Sequence, residues 1–308
     1  MPARKRLKFR SKNKTKKLPV LFKFLVTLLI IVSAVGFILF KSEFWDGKNR
    51  LSVVIAGDGG DVRITTFDPR LKKITDIVIP ANTQVEVSRS LGRLPIKNVW
   101  AVAENEGIGG ELLAETVTSH FRFPVYAWAN WQAIGFSDTS PFSIGKAAFV
   151  PYKTNLKIGD RFRLALFSIS VANSKRASIN LDETGYITKT KLVDGEEGYI
   201  VTGSFPTELL AVFSDPEISE ELVNVIIRNA SGDQLVAQGF GEVLEVLGAK
   251  VVSVEKLEPE TINCNLVGSD VRIVKKVAII FGCTQSVHEI EGNIDLEVTI
   301  GKEFAMRF

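Results

Sequence analysis

No acidic residue occurs before Glu43, and 308 residues hold only two histidines and two cysteines. Each scarcity removes a class of function. His120 and His288 fall in different predicted domains, so neither a histidine metal site nor a Ser-His catalytic pair has support, and both are assigned to structure or surface. Cys264 and Cys283 fall in the part expected outside the cytoplasm, where a disulfide persists; a bridge and two buried thiols are the two alternatives. The missing acids leave Arg4, Lys5, Arg6, Lys8, Arg10, Lys12, Lys14, Lys16 and Lys17 unbalanced. The net charge of +3 therefore hides an asymmetry, since the chain beyond that tail is slightly acidic.

Basic clusters bind nucleic acid through counterion release. This one runs directly into an apolar stretch, 18–40, broken only by Lys23, and no helix-turn-helix or base-reading element accompanies it. The sequence therefore points to a lipid bilayer and not to nucleic acid. Residues 24–40 carry no charge, and with 19–23 they supply the roughly 20 residues that cross about 30 Å of hydrocarbon. A basic flank stays in the cytoplasm, and Trp45 suits the outer interface. A cleaved signal peptide has a shorter apolar core and small residues after it, whereas FILF at 37–40 ends this one in bulk. The expected order is a basic cytoplasmic tail at 1–17, a transmembrane helix at 18–40 and a juxtamembrane linker at 41–50. Extracytoplasmic domains follow at 51–215 and 220–308. With 45% hydrophobic residues, the exterior can bury one or two ordinary cores.

Along the exterior, 51–55 is a strand ending in the turn AGDGGD, and 62–67 and 74–79 form a hairpin around DPRLKK. The stretch 110–121 places Leu112, Leu113, Val117 and Phe121 at helical spacing, and Pro124 stops it. Residues 125–131 are rich in aromatics, and 161–171 alternates less cleanly and is taken with them as strand. Further strands are expected within 177–187 and 198–202, around turn residues Asp194 and Gly195. The first domain is thus mixed α and β. After 214–217 the order becomes strand 222–227, helix 234–247 closed by Gly248, strand 250–255 and strand 261–266. A helix capped by Ser269 or Asp270 then runs through Phe281 to Gly282, and the last strand is 295–300. That is a β-α-β-β-α-β unit with helices on one face, so the class is α/β (α+β). Cys264 sits on its third strand and Cys283 just past the following helix.

The segments VIIRNASG (225–232) and LGAKVV (247–252) resemble the C-terminal domain of LytR-type proteins. TTFDPRLKKITDIVIPANTQVEV (65–87), with IKN at 96–98 and FPVY at 123–126, resembles a reduced LytR-CpsA-Psr catalytic domain. The resemblance implies an enzyme that moves glycopolymers from a polyprenyl-pyrophosphate carrier onto the bacterial cell wall, holding the pyrophosphate with Arg and Asp side chains and Mg²⁺. Bidentate arginines suit that task because their planar fork matches phosphate oxygens. Here Ala81 and Asn82 stand at the family's Arg-Asp pair, and the segment before the hairpin is shortened to Asp61, Val62 and Arg63. Asp58 remains as a candidate metal ligand. Arg63, Arg161 and Arg163 are the available cations, and strand alternation would put the last two on a solvated face.

Loss of one transition-state cation costs about 10²–10³ in rate, so the leading expectation is a non-catalytic binding or interaction module of the envelope, with no cofactor. The alternative is a divergent glycopolymer phosphotransferase using Asp58, Arg63, Arg161 and Arg163, with Mg²⁺ only in that case. Expected partners beyond the bilayer are a cell-wall polymer, a polyprenyl-linked lipid or another envelope protein. Tyr126, Trp128 and Trp131 are candidates to line a groove for a prenyl chain or to stack on sugars, and alternating strand positions equally suit a core. Ser143 and Lys146 fit Ser-x-x-Lys but lack the partner motifs of penicillin-recognising enzymes. The glycines at 57, 59 and 60 lack the lysine of a P-loop.

Overall fold

The computed structural model describes residues 20–40, 44–192, 195–288, 290 and 292–308, with backbone alone at 20, 21, 35 and 37–40. The expected tail at 1–17 and turn residue Asp194 lie outside the described residues. The expected span at 18–40 lies partly outside them. Its described portion belongs to a 21-residue helix, α1 (Val20–Phe40), whose side chains from 22 to 34 are exposed. Among the described residues, no helix is long and apolar enough to cross a membrane.

The first domain is built on a five-stranded sheet. Strands β1 (Leu51–Ala56), β2 (Val62–Asp68) and β3 (Lys73–Ile79) form an antiparallel meander. The chain then makes a small hairpin, β4 (Gln84–Val87) and β5 (Gly92–Pro95), and two helices, α2 (Ile96–Asn105) and α3 (Glu111–Phe121). Strand β6 (Ala127–Asn130) returns to pair in parallel with β1. A 3₁₀ turn at Trp131–Phe136 leads to α4 (Pro141–Phe149) and α5 (Ile158–Ser170), and β7 (Arg176–Asn180) pairs in parallel with β3. The sheet order is β6-β1-β2-β3-β7. A second hairpin, β8 (Ile187–Lys191) and β9 (Glu197–Val201), leads to α6 (Thr207–Phe213) and α7 (Pro216–Glu220).

Every residue from Leu51 to Ile55 is buried, because this strand is covered on both faces, the situation in which strands lose polar alternation. Val54, Ile64 and Ile77 face a core shared with α2 and α3. Val53, Ile55, Phe67 and Ile74 face a second core shared with α4 and α5. The domain is therefore a helix-sheet-helix sandwich.

The second domain runs β10 (Asn224–Ala230), α8 (Gln234–Leu247), β11 (Lys250–Lys256), β12 (Cys264–Gly268), α9 (Val271–Phe281), β13 (Thr284–Val287), β14 (Leu296–Gly301) and α10 (Lys302–Arg307). Its sheet order is β11-β10-β14-β12-β13. Both long helices start and stop as the sequence predicts. Asp233 accepts the Leu235 N–H at 2.8 Å, Asp270 accepts the Arg272 N–H at 2.7 Å, and Gly248 ends α8 at φ +99°. Their apolar faces meet in one core, where Phe240 stacks on Phe281 at 3.9 Å. Cys264 and Cys283 are bridged, tying the end of α9 to β12.

Three expectations are corrected. The stretch at 161–171 is helical, as α5, because Arg161, Leu164, Ala165 and Ser168 share one buried face at spacings of three and four. The β-α-β-β-α-β order gains β13 and a terminal helix; β13 is a four-residue edge strand with little burial, so it leaves no alternating signal. Trp45 is only 2% exposed and packs edge-on against Phe167, with its indole N–H donated to the Asn49 carbonyl, so it is a core residue and not an interfacial one.

The domains meet at a buried charge cluster. Asp215 is 1% exposed, caps α7 by accepting the Glu217 N–H, and takes two 2.8 Å bonds from Lys276 of α9. Removing one partner of such a pair leaves the other charge buried. Asp215→Ala is expected to destabilise the protein by about 3–5 kcal/mol, read as a lower denaturant midpoint, with Asp215→Ala/Lys276→Met recovering part of the loss.

Candidate functional site

Strands β1 and β6 lie side by side and parallel, so their carboxyl ends come to the same end of the sheet. The path from β1 to β6 passes over the face covered by α2 and α3, while β6 continues into the 3₁₀ turn and α4 on the other face. A crevice lies beyond the carboxyl ends of the two strands, between the helices of the two faces. A cavity of about 460 Å³ lies there, with Asp58 after β1, Asn130 and Trp131 after β6, Lys97 and Trp100 on α2, and Lys153 on its wall. The turn needs glycine: Gly60 sits at φ +87°, and a Cβ there would stand 3.1 Å from the Lys97 side chain.

Trp131, 48% exposed, also borders a neighbouring groove of about 690 Å³ beneath the sheet. Ile134, Gly135 and Val150 supply its apolar wall, and Arg63, Asp76 and Lys146 its polar points. Asp76 accepts a 2.6 Å bond from Thr65, and burial raises its pKa above the ordinary carboxylate value. Two buried amide oxygens at this crevice, Asn130 Oδ1 and Gln132 Oε1, have no hydrogen-bond partner. Unpaired buried acceptors carry a desolvation cost that a donor on a ligand or water relieves. The mouth's cations are Lys97, which donates to Asn82 Oδ1 at 2.7 Å, and Lys153, which pairs with Glu104.

The predicted site residues are spread over several places. Asp58 is at the mouth. Arg63 borders the groove, and its Nε pairs with Asp61 at 3.0 Å. Arg161 is buried, donating to the Ala147 and Val150 carbonyls and lying 4.2 Å above the Tyr152 ring, so it is neither solvated nor at the crevice. Arg163, also expected on a solvated face, is half-buried and donates to the Trp45 carbonyl at 2.9 Å. Ala81 lies beside Gly60, so the position where the resemblance expects an arginine is at the mouth but carries no charge.

Trp128 packs edge-on to Trp100 at 5.9 Å and covers Gly110 so closely that a Cβ there would meet its ring at 2.2 Å. Tyr126 is buried, its hydroxyl without a partner, at an interdomain cavity of about 230 Å³ beside Arg50 and Lys276. Burial raises its pKa well above that of free tyrosine. Only Trp131 of the three aromatics reaches the crevice. The residues around Asp58 do not by themselves build a cation site: Asp61 is paired to Arg63, and among the described residues no three His, Cys, Asp or Glu side chains gather. Sequence reasoning missed Asn130, Lys153 and Asp76; Lys97 lay inside the matched IKN segment without being singled out.

No family model matches the chain, and no curated protein is similar to it. Among solved structures, it is similar to TagT of B. subtilis, at 15% identity over 53% of this chain and 88% of that one, with a TM-score of 0.37. It is similar to a LytR-CPS2A-psr family protein, YwtF (TagT), with bound octaprenyl pyrophosphate, at 16% identity over 53% and 88%, TM-score 0.37. It is also similar to Lin1025 of Listeria innocua, at 15% over 52% and 92%, TM-score 0.34. At these identities and TM-scores the likeness assigns no function to this chain.

His120 is structural. Its Nδ1 accepts the Glu86 N–H, its Nε2 is buried without a partner, and burial, with Arg122 nearby, lowers its pKa to about 4. An unfolded histidine titrates near 6.5, so between about pH 6.5 and 4 the unfolded chain binds the extra proton. Stability present above pH 6.5 is therefore lost as pH falls through that window, by up to about 3 kcal/mol. Denaturant midpoints at pH 7 and pH 4.5 are expected to converge in His120→Gln relative to the parent.

Proposed function

We propose that this chain is a membrane-tethered module of the cell envelope that holds a polyprenyl-pyrophosphate type of lipid, or the polymer it carries, without transferring it. The observation that carries this reading is a mouth and a neighbouring groove that share Trp131: lysines and amides beyond the ends of β1 and β6 line the first, and an apolar wall lines the second. An amphiphile with a charged head and a hydrocarbon tail matches that division of chemistry.

Transfer needs fixed cations where phosphoryl charge develops. Positions 81 and 82 supply none, and Arg161 and Arg163 are committed to backbone carbonyls away from the mouth. The phosphotransferase alternative would have to work with Arg63, which is paired with Asp61, and with lysines, which act as point charges and lack the bidentate fork.

The tether is read from the sequence run 18–40, in which 24–40 is uncharged and, with 19–23, supplies the roughly 20 residues that cross about 30 Å of hydrocarbon. The basic tail holds the N-terminus in the cytoplasm. Both folded domains then lie outside, a placement supported by the Cys264–Cys283 bridge, since such bonds persist in oxidising compartments.

The test is titration of the full chain in vesicles with octaprenyl pyrophosphate, with and without Mg²⁺, followed by a transfer assay with a glycopolymer-charged lipid. Saturable binding without transfer is expected. Lys97→Glu/Lys153→Glu should weaken binding by about tenfold or more, since a hydrogen bond to a charged group is worth about 1.5–3 kcal/mol. Turnover would establish the transferase alternative, and absence of binding would leave a module for wall polymer or protein.

A further inference from the structure

Helix α5 is apolar on two sides. One side packs into the core through Leu164 and Ala165; the other carries Ile158, Phe162, Leu166 and Ile169 at spacings of four, four and three. Ile158, Leu166 and Ile169 are 45%, 51% and 61% exposed. Helix α4 extends this surface with Phe142 and Phe149, 70% and 63% exposed, the latter meeting Phe162 at 6.1 Å. A helix apolar all round is ordinarily covered on all sides, and contiguous exposed apolar surface of this kind marks an interaction site.

What covers the face follows from how the chain arrives at it. The backbone N–H groups of Phe44 and Trp45 are both held by Asp160 in the first turn of α5, and Arg163 holds the Trp45 carbonyl. The four Cα steps from Phe40 to Phe44 span at most about 14 Å. Helix α1 itself packs against α5. Wherever α1 enters a bilayer, α5 is beside that point. Charge agrees: residues 141–170 hold Lys146, Lys153, Lys157, Arg161 and Arg163 against one acid, Asp160, which is buried. Of these, Lys146, 4.5 Å above the Phe142 ring, and Lys157 at the start of α5 are exposed beside the apolar side chains, a pairing that suits the boundary between headgroups and acyl chains of an anionic leaflet.

We propose that the α4–α5 face is a membrane-docking surface that lies in the lipid interface and fixes the orientation of the exterior domains on the bilayer. This rests on the tether reading above. Helix α4 then has two duties: Phe142 and Phe149 face lipid, while Ser143 and Lys146 wall the groove. The groove thus opens beside the bilayer, where a prenyl tail can enter without crossing water.

The test uses the full chain in phosphatidylglycerol/phosphatidylethanolamine vesicles, carrying one nitroxide at Phe149→Cys, Leu166→Cys or Ile169→Cys. Leu235→Cys on α8, 75% exposed in the native chain, is the water control, and Val32→Cys on α1 is the lipid control. The native cysteines are bridged and do not take the label. The labels at 149, 166 and 169 should shift toward collision with oxygen over a water-soluble nickel chelate, while the label at 235 does not. If they match 235 while 32 is in lipid, the docking surface is refuted and the tether stands. Shielding from both reagents would mean that protein covers the face, which also refutes it. A water-exposed label at 32 would remove the tether and the docking surface together.

Discussion

The wholly buried carboxylate of Asp160 holds together the parts on which the rest of the molecule depends. One oxygen accepts the Phe44 and Trp45 N–H groups and the other accepts the Lys157 N–H, so one side chain caps α5 and fixes the chain emerging from α1. A carboxylate out of water is tolerable only when its oxygens are hydrogen-bonded in this way. Pinning Trp45 there inserts its indole between Phe67 of β2 and Phe167 of α5. The same core supports α4, Val53 and Ile55, and so sets the spacing between the sheet and the helix that walls the groove.

From that spacing the site follows by topology. The carboxyl ends of the parallel neighbours β1 and β6 border a crevice that receives Lys97 from α2, Asn130 from the end of β6, Trp131 from the 3₁₀ turn after it, and Lys153 from the loop before α5. The mouth offers lysines and amides, and positions 81 and 82 beside it hold alanine and asparagine. Arginines are present elsewhere, and their guanidinium groups are used as struts. Arg161 braces α4 through two carbonyls, and Arg176 spans Ser137 and Ser168. Holding without transfer is proposed because lysines lack the bidentate fork of arginine.

Much of the fold was legible because local signals agreed with it. The 62–79 hairpin, α3, α8 and α9 each combine a clean period with a turn or cap, and the ends of α8 and α9 lie at the expected glycines. Misreadings cluster where one stretch serves two surfaces. With apolar residues facing core and exterior alike, α5 loses the one-sided pattern of a surface helix. Helix α4 is only nine residues long and lacks a side-chain cap bond. Trp45 follows an apolar run and invites an interfacial assignment, but a side chain far along the chain decides its burial. The mouth was only partly legible, since its lysines and asparagine come from three separated elements and form no linear motif. Asp58 and Trp131 were accessible to sequence reasoning through a strand-end turn and an aromatic run.

The measurement that bears most directly on the central claim is photo-crosslinking of the vesicle-bound full chain with a polyprenyl pyrophosphate carrying a photoreactive group on its tail, followed by mapping of the modified peptides. Adducts are expected at Trp131 and along 132–150, the walls of the groove. Adducts confined to α8, α10 or the interdomain cavity at Tyr126 would contradict that claim.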